Sequence, residues 1–191
     1  MNRNISLVVI GMIVCCLTSC RERHLHTVSV AEFEQFVEET NYLTDAERYG
    51  WSVKQVTIHD YEVLDSLTWR RPDGQNVAPS NYAVTQVSYN DALAYAQWSK
   101  TSIPTYEDYW DLVKGDTRHI NATSTGILPI DQVNIVGNVW DITQPDALGR
   151  IRLAGGSYLC DQNTCNGTSA DRELYVDVET GNTHISFSVI Q

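Results

Sequence analysis

Apolar residues recur at helical spacing in three stretches, each opened by a hydroxyl residue with an acidic side chain three positions on. In "SVAEFEQFVEET", Ser29 and Glu32 have capping-box spacing, and Phe33, Phe36, Val37 and Thr40 fall on one face. In "SYNDALAYAQWSK", Ser88 and Asp91 repeat the spacing, with Leu93, Ala96 and Trp98 predicted to point inward. In "TYEDYWDLVKG", Thr105 caps, Asp108 is the third residue and Gly115 can end the helix. The strand-like runs are short: "YAVTQVSY", "RIRLAGGSY" and "HISFSVI". Long connections separate them, from Val53 to Ser80 and from Gly115 to Val133. Connections of that length inside a compact domain are usually functional or held by ligands. The pattern therefore predicts an α+β fold with little regular secondary structure and long ordered loops.

The first residues follow a different logic. "MNRN" is a short basic start, and "ISLVVIGMIVCCL" is apolar but too short to span a bilayer comfortably. The run ends in "LTSC", Leu17 to Cys20, which resembles the lipobox of bacterial lipoproteins, where cleavage precedes the Cys and its thiol is acylated. That resemblance implies a signal peptide over residues 1–19, a lipid-modified Cys20, a tether over 20–26 and a folded domain over 27–191. It also implies a lipid-anchored protein of the bacterial cell envelope.

Composition narrows the partners. The 191 residues suit one domain with one core, and no internal repeat or low-complexity tract divides them. Thirteen Lys and Arg against twenty-four Asp and Glu give a formal net charge of −11, which argues against nucleic acid as a partner. Ten Tyr and five Trp suit a loop-rich domain whose aromatic side chains both pack and hydrogen-bond.

Of the five cysteines, Cys15 and Cys16 fall in the predicted leader and Cys20 is the predicted lipidation site. The remaining two lie in "GGSYLCDQNTC", as Cys160 and Cys165. A disulfide, a metal clamp and a redox-active pair all fit two thiols at that spacing in an oxidising compartment. A ring of six residues is a weak staple, because closing a short loop removes little entropy from the unfolded chain. The five histidines form no metal-binding spacing. His24 and His26 lie in the tether, while His59, His119 and His184 read as ordinary surface or turn residues.

Five segments in order resemble the formylglycine-generating enzyme (sulfatase-modifying factor) family over roughly residues 27–190. They are "VSVAEFEQFVEETNYLTDAERYGW", "TWRRPDG", "VTQVSYNDALAYAQWSKTSIPTYEDYWDLVKG", "VNIVGNVWDI" and "RIRLAGGSYLC". The resemblance implies the fold of that family, which is related to the C-type lectins. It also implies an oxidoreductase converting a cysteine of a sulfatase-type protein substrate to formylglycine with dioxygen. In the family's catalytic branch, two cysteines at the spacing of Cys160 and Cys165 hold Cu(I), and Ser157 would orient a polar partner or oxygen beside the metal. Thiolate is the soft ligand that selects Cu(I) over harder cations.

The resemblance further implies Ca²⁺ bound by Asn134, by the carbonyls of Gly137 and Val139, and by Asp141, which stands where the family has Glu. Hard oxygen donors on one irregular turn suit that ion. The sequence also departs from the family. Its closing Gly-Phe-Arg reads Ser186-Phe187-Ser188, so an arginine is missing, and the arginine-rich strand after the second Cys keeps only Arg172. Because one fold can serve unrelated functions, a second reading stands beside the oxidase: a non-catalytic envelope lipoprotein that uses the fold as a scaffold or as a binding module for another envelope protein.

Overall fold

The computed structural model describes residues 22–121, 126–160 and 168–191. Residues 1–19, Cys20 and Cys165 lie outside that range. In chain order the elements are β1 (Leu25–Thr27), α1 (Val30–Thr40), α2 (Asp45–Tyr49), β2 (Trp51–Gln55), β3 (Tyr61–Asp65), α3 (Tyr89–Ser99), α4 (Tyr106–Leu112), β4 (Trp140–Pro145), β5 (Ile151–Ala154), β6 (Tyr175–Val176) and β7 (Ile185–Ile190). A 3₁₀ turn, Val113–Gly115, extends α4. The fold is α+β, with modest regular structure, as the patterning predicts.

The helix starts sit where the capping residues place them. Ser29 accepts the Glu32 N–H at 3.2 Å, and Glu32 returns a bond from the Ser29 N–H at 2.9 Å. Ser88 and Asp91 make the same reciprocal pair, and Thr105 accepts the Asp108 N–H. A third reciprocal box, Thr44 with Glu47, starts α2, which the hydrophobic pattern does not predict. Such boxes satisfy N–H groups that a helix end otherwise orphans.

The buried faces differ in detail from the expectation. On α1, Val30, Phe33 and Phe36 are buried and Thr40 is exposed, its hydroxyl donating to the Phe36 carbonyl. On α3, Ala92, Tyr95 and Ala96 face inward at i, i+3 and i+4, which turns Leu93 outward at 38% exposure.

Five strands form one sheet in the order β1-β7-β4-β5-β6, with β4 and β7 parallel and the other neighbours antiparallel. Strands β2 and β3 form a separate hairpin, within a stretch the pattern reads as a connection. Period-two alternation sends Trp140, Ile142, Leu153, Phe187 and Val189 to one face, against Phe33, Phe36 and Tyr95. Rings there meet edge-on, with Phe33 to Trp69 at 5.3 Å and Tyr95 to Phe187 at 5.4 Å. The other face meets α4 through Tyr109 and Ala154, and it also carries Asp141 and Ser188.

Two expectations are corrected. Leu25 and His26, assigned to the tether, belong to β1 and pair with Ile190 and Val189. The run "YAVTQVSY" is not a strand. Residues 83–88 are buried, but Gln86 turns to φ 61°, and the segment's backbone N–H groups bond outward to separate partners, Val84 to Val28 and Gln86 to Asn182. Only the Ser29–Ala83 bridge is ladder-like. The Gln86 side chain completes the exchange, accepting from Ser52 and donating to the Val53 and Pro72 carbonyls. Among the described residues no helix is long and apolar enough to cross a membrane.

Candidate functional site

Two of the motifs singled out in the sequence meet in space. Strand β5 ends in Gly155 and Gly156, both in the left-handed region at φ 87° and 74°, which L side chains avoid. The chain doubles back there, and Ser157 is fully buried. The turn preceding β4 packs against it: the Gly137 N–H donates to Gly155 O at 2.9 Å and the Tyr158 N–H to Asn138 O at 3.1 Å. A side chain at Gly155 would place its Cβ 2.1 Å from the Tyr109 hydroxyl, so only glycine fits.

From Ser157 the chain makes one tight turn to Cys160, whose N–H donates to Ser157 O at 2.8 Å. Cys160 is buried at 3% exposure and is disulfide-bonded. Every other cysteine of the chain, Cys165 included, lies outside the described residues. Cys160 borders a cleft of about 200 Å³ with apolar walls from Trp140, Leu153, Leu159, Leu174, Val176 and Ile185. Gln55, Asn182, His184 and Arg172 supply the polar groups of the lining. Leu174, Val176 and Arg172 come from β6 and the segment before it, and Gln55 from the end of β2. The cleft is thus assembled from five separate parts of the chain.

His184, read from sequence as an ordinary turn or surface residue, is instead part of this site. It is 8% exposed, and its Nδ1 lies 3.2 Å from Ser157 Oγ. Its backbone is held on both sides, by the Trp140 N–H to its carbonyl and by its own N–H to Asn182 Oδ1. Burial lowers its pKa to about 4, so the imidazole is neutral at pH 7. Ser157 Oγ also stands 4.0 Å from Cys160 Sγ and receives the Leu159 N–H at 3.4 Å. No signal in the sequence marks His184, because its proximity to Ser157 is made by the parallel pairing of β4 and β7. His59 and His119 are exposed, as expected.

The four residues expected to hold Ca²⁺ are distributed around the same turn. Asn134 caps it, accepting the Val136 N–H at 2.8 Å and donating to Asp116 O. Asp141 is fully buried on β4, where Ser188 donates to Oδ1 at 2.6 Å and Tyr109 to Oδ2 at 3.2 Å. Burial raises its pKa to about 7 despite those two bonds, and no cation among the described residues pairs with it. A void of about 10 Å³, lined in part by Thr27, Asn134 and Val139, lies beside the turn. That is close to the room one water needs. Asp141 connects with its wall through Ser188, whose hydroxyl also meets Thr27 Oγ1 at 3.1 Å. Of the four expected ligands, Asn134 and Val139 line this void and Gly137 and Asp141 do not, both Asp141 oxygens accepting instead from hydroxyls. The two sequence departures, Asp141 and Ser188, are direct neighbours.

Copper suits the other group. A buried sulfur on an apolar cleft is a soft donor in a low-dielectric surrounding, the environment that favours Cu(I) over hydrated, harder ions. Among the described residues no cluster of three or more His, Cys, Asp or Glu is placed to hold a metal.

Comparison with known proteins bears on the family and the fold. The sulfatase-modifying factor enzyme 1-like domain matches residues 24–119, half of the chain. The match ends before the cysteine loop. The formylglycine-generating enzyme of Streptomyces coelicolor is 28% identical over 213 residues, covering 73% of this chain and 68% of that protein. The Mus musculus formylglycine-generating enzyme is 35% identical over 105 residues, 45% of this chain and 28% of its own length. A second Mus musculus protein, named inactive C-alpha-formylglycine-generating enzyme 2, is 26% identical over 218 residues, covering 84% of this chain and 70% of its own length. With half of its length matched to the domain and both glycine turns built around the cysteine cleft, the chain belongs to the sulfatase-modifying factor enzyme 1-like family.

Proposed function

We propose that this protein is a formylglycine-generating oxidase that converts a cysteine of a sulfatase-type substrate to formylglycine. Cu(I) would be held by Cys160 and Cys165 and would supply the oxygen chemistry when bound. The observation that carries this reading is the placement of Cys160: buried, beside Ser157 and His184, on a cleft whose walls are otherwise mostly apolar. Relatives named formylglycine-generating enzyme support the reaction class. The chain's own residues have separate tasks. The apolar walls exclude water from the sulfur, Ser157 orients a polar group at the reacting atom, and the glycine turns hold Ser157 and Cys160 one turn apart. The disulfide at Cys160 is the oxidised form of that sulfur; copper binding requires its reduction first.

The Ca²⁺ site belongs to the same proposal, with Asn134, Gly137, Val139 and Asp141 as ligands. Its task is to tie the turn before β4 to the sheet, and so to hold the backbone that anchors Tyr158. The lipid anchor at Cys20 is likewise proposed and would place the cleft at a membrane surface of the cell envelope.

A second reading, a non-catalytic lipoprotein scaffold, is favoured by one observation. The relative named inactive aligns with 84% of this chain, more than either relative above that is named as the enzyme. Copper titration of the reduced protein separates the two. The oxidase binds one copper per chain and turns a Cys-x-Pro-x-Arg peptide into its aldehyde, consuming oxygen together with two electrons from an added thiol reductant and releasing the cysteine sulfur as sulfide. Cys160→Ser and Cys165→Ser each abolish turnover while the fold survives, because a hydroxyl is a hard, weak ligand for Cu(I). Protein that binds no copper after reduction, with serine variants that melt well below wild type, would mark the cysteine as a structural staple and remove the oxidase reading.

A further inference from the structure

His184 has one nitrogen committed and one free. Nδ1 meets Ser157 Oγ at 3.2 Å. Nε2 has no partner among the described residues, although the side chain is nearly buried and lines the cleft beside Cys160. A neutral imidazole carries one donor and one acceptor, and the bond made by one nitrogen decides what the other offers. Ser157 Oγ already receives the Leu159 N–H and faces the Cys160 sulfur at 4.0 Å. With the serine hydrogen turned toward that sulfur, its oxygen accepts from Nδ1–H. Nε2 then presents a lone pair to the cleft.

We propose that His184 is a substrate-binding residue, whose Nε2 accepts a hydrogen bond from an N–H or S–H of the segment that carries the reacting cysteine. The cleft's physical chemistry makes this contact matter. Its walls around Cys160 are largely apolar, and a ligand that covers Nε2 without offering a donor leaves that acceptor unpartnered there, which is costly. A ligand group that donates to Nε2 avoids that cost. The ring is held by its own contacts, the Nδ1–Ser157 bond and the burial of the side chain. Discrimination of this type is steep, because the penalty falls on every ligand without the matching donor.

The inference rests on the oxidase reading, and the test keeps the two apart. A fluorescent Cys-x-Pro-x-Arg peptide is titrated by anisotropy against the reduced, copper-free full chain, and copper affinity is measured separately by competition with a chromophoric chelator. His184→Asn keeps an amide near Ser157 but removes the reach to the cleft, whereas His184→Gln restores a distal acceptor. Peptide affinity should fall about tenfold or more in His184→Asn and largely return in His184→Gln. Copper affinity and melting temperature should match wild type in both. Equal peptide affinity in wild type and His184→Asn overturns the inference and leaves the oxidase reading intact. Parallel loss of peptide affinity, copper affinity and melting temperature in both variants makes His184 purely structural, and also overturns it. A wild-type protein that binds no peptide removes both.

Discussion

Replacing Asp141 by Asn should make the metal-free protein more stable at pH 8, less so at pH 5, and leave it nearly unchanged only below the ordinary carboxyl value of 3.8. The carboxyl is buried on β4 between the Ser188 and Tyr109 hydroxyls, with no cation beside it. Burial dominates and raises its pKa from the usual 3.8 to about 7. A carboxyl raised by folding contributes its full stability below the unfolded value and loses it as pH climbs through the folded one. Above pH 8 the ionised group therefore costs about 4 kcal/mol, to order of magnitude. Asn has the same shape without the charge, can accept from Ser188, and can donate to the Tyr109 oxygen, so its stability should hardly depend on this window. Other groups titrate nearby. Asp91, pushed up to about 6 by burial, loses stability at somewhat lower pH, and His184, pushed down to about 4, costs stability as pH falls below 6.5. Subtracting the Asp141→Asn profile from wild type cancels both. Urea unfolding of the two proteins in chelator, from pH 5 to pH 8.5, gives the difference directly. It should grow in favour of Asn from pH 5 upward and level off above about 7, where the carboxyl is ionised in both states. Saturating Ca²⁺ should shrink the difference in wild type, because a cation would neutralise the ionised form. Parallel profiles across the whole range would refute the reasoning and place the Asp141 carboxyl in contact with water or a countercharge.

Gly155→Ala combines a Cβ 2.1 Å from the Tyr109 hydroxyl with a left-handed φ of 87°, and it should cost about 2 kcal/mol or more in urea unfolding; an unchanged midpoint would mean that Tyr109 retreats freely. Cys20→Ala should block incorporation of labelled fatty acid and release the protein from membranes into the soluble fraction, whereas equal membrane partitioning would rule out the lipid anchor.

Helix starts were legible in the sequence because their physics is local. A Ser or Thr and an acid three residues later bond within one turn, so Ser29, Ser88 and Thr105 announce α1, α3 and α4 whatever the rest of the chain does. The alternation in "HISFSVI" likewise marked β7. The tertiary structure decided what depends on distant partners. The segment at residues 83–88 looked like a strand, but its N–H groups found separate acceptors around Gln86. The hairpin of β2 and β3 hid in a stretch whose strands, half-buried in β2 and mostly exposed in β3, carry little hydrophobic periodicity. Asp141 and Ser188, forty-seven positions apart, became neighbours only when β4 and β7 paired. The same pairing carried His184 to Ser157 across twenty-seven positions. Spacing along a chain encodes contacts within a helix turn or a strand. Contacts across a sheet depend on register and strand order, which the whole core selects at once.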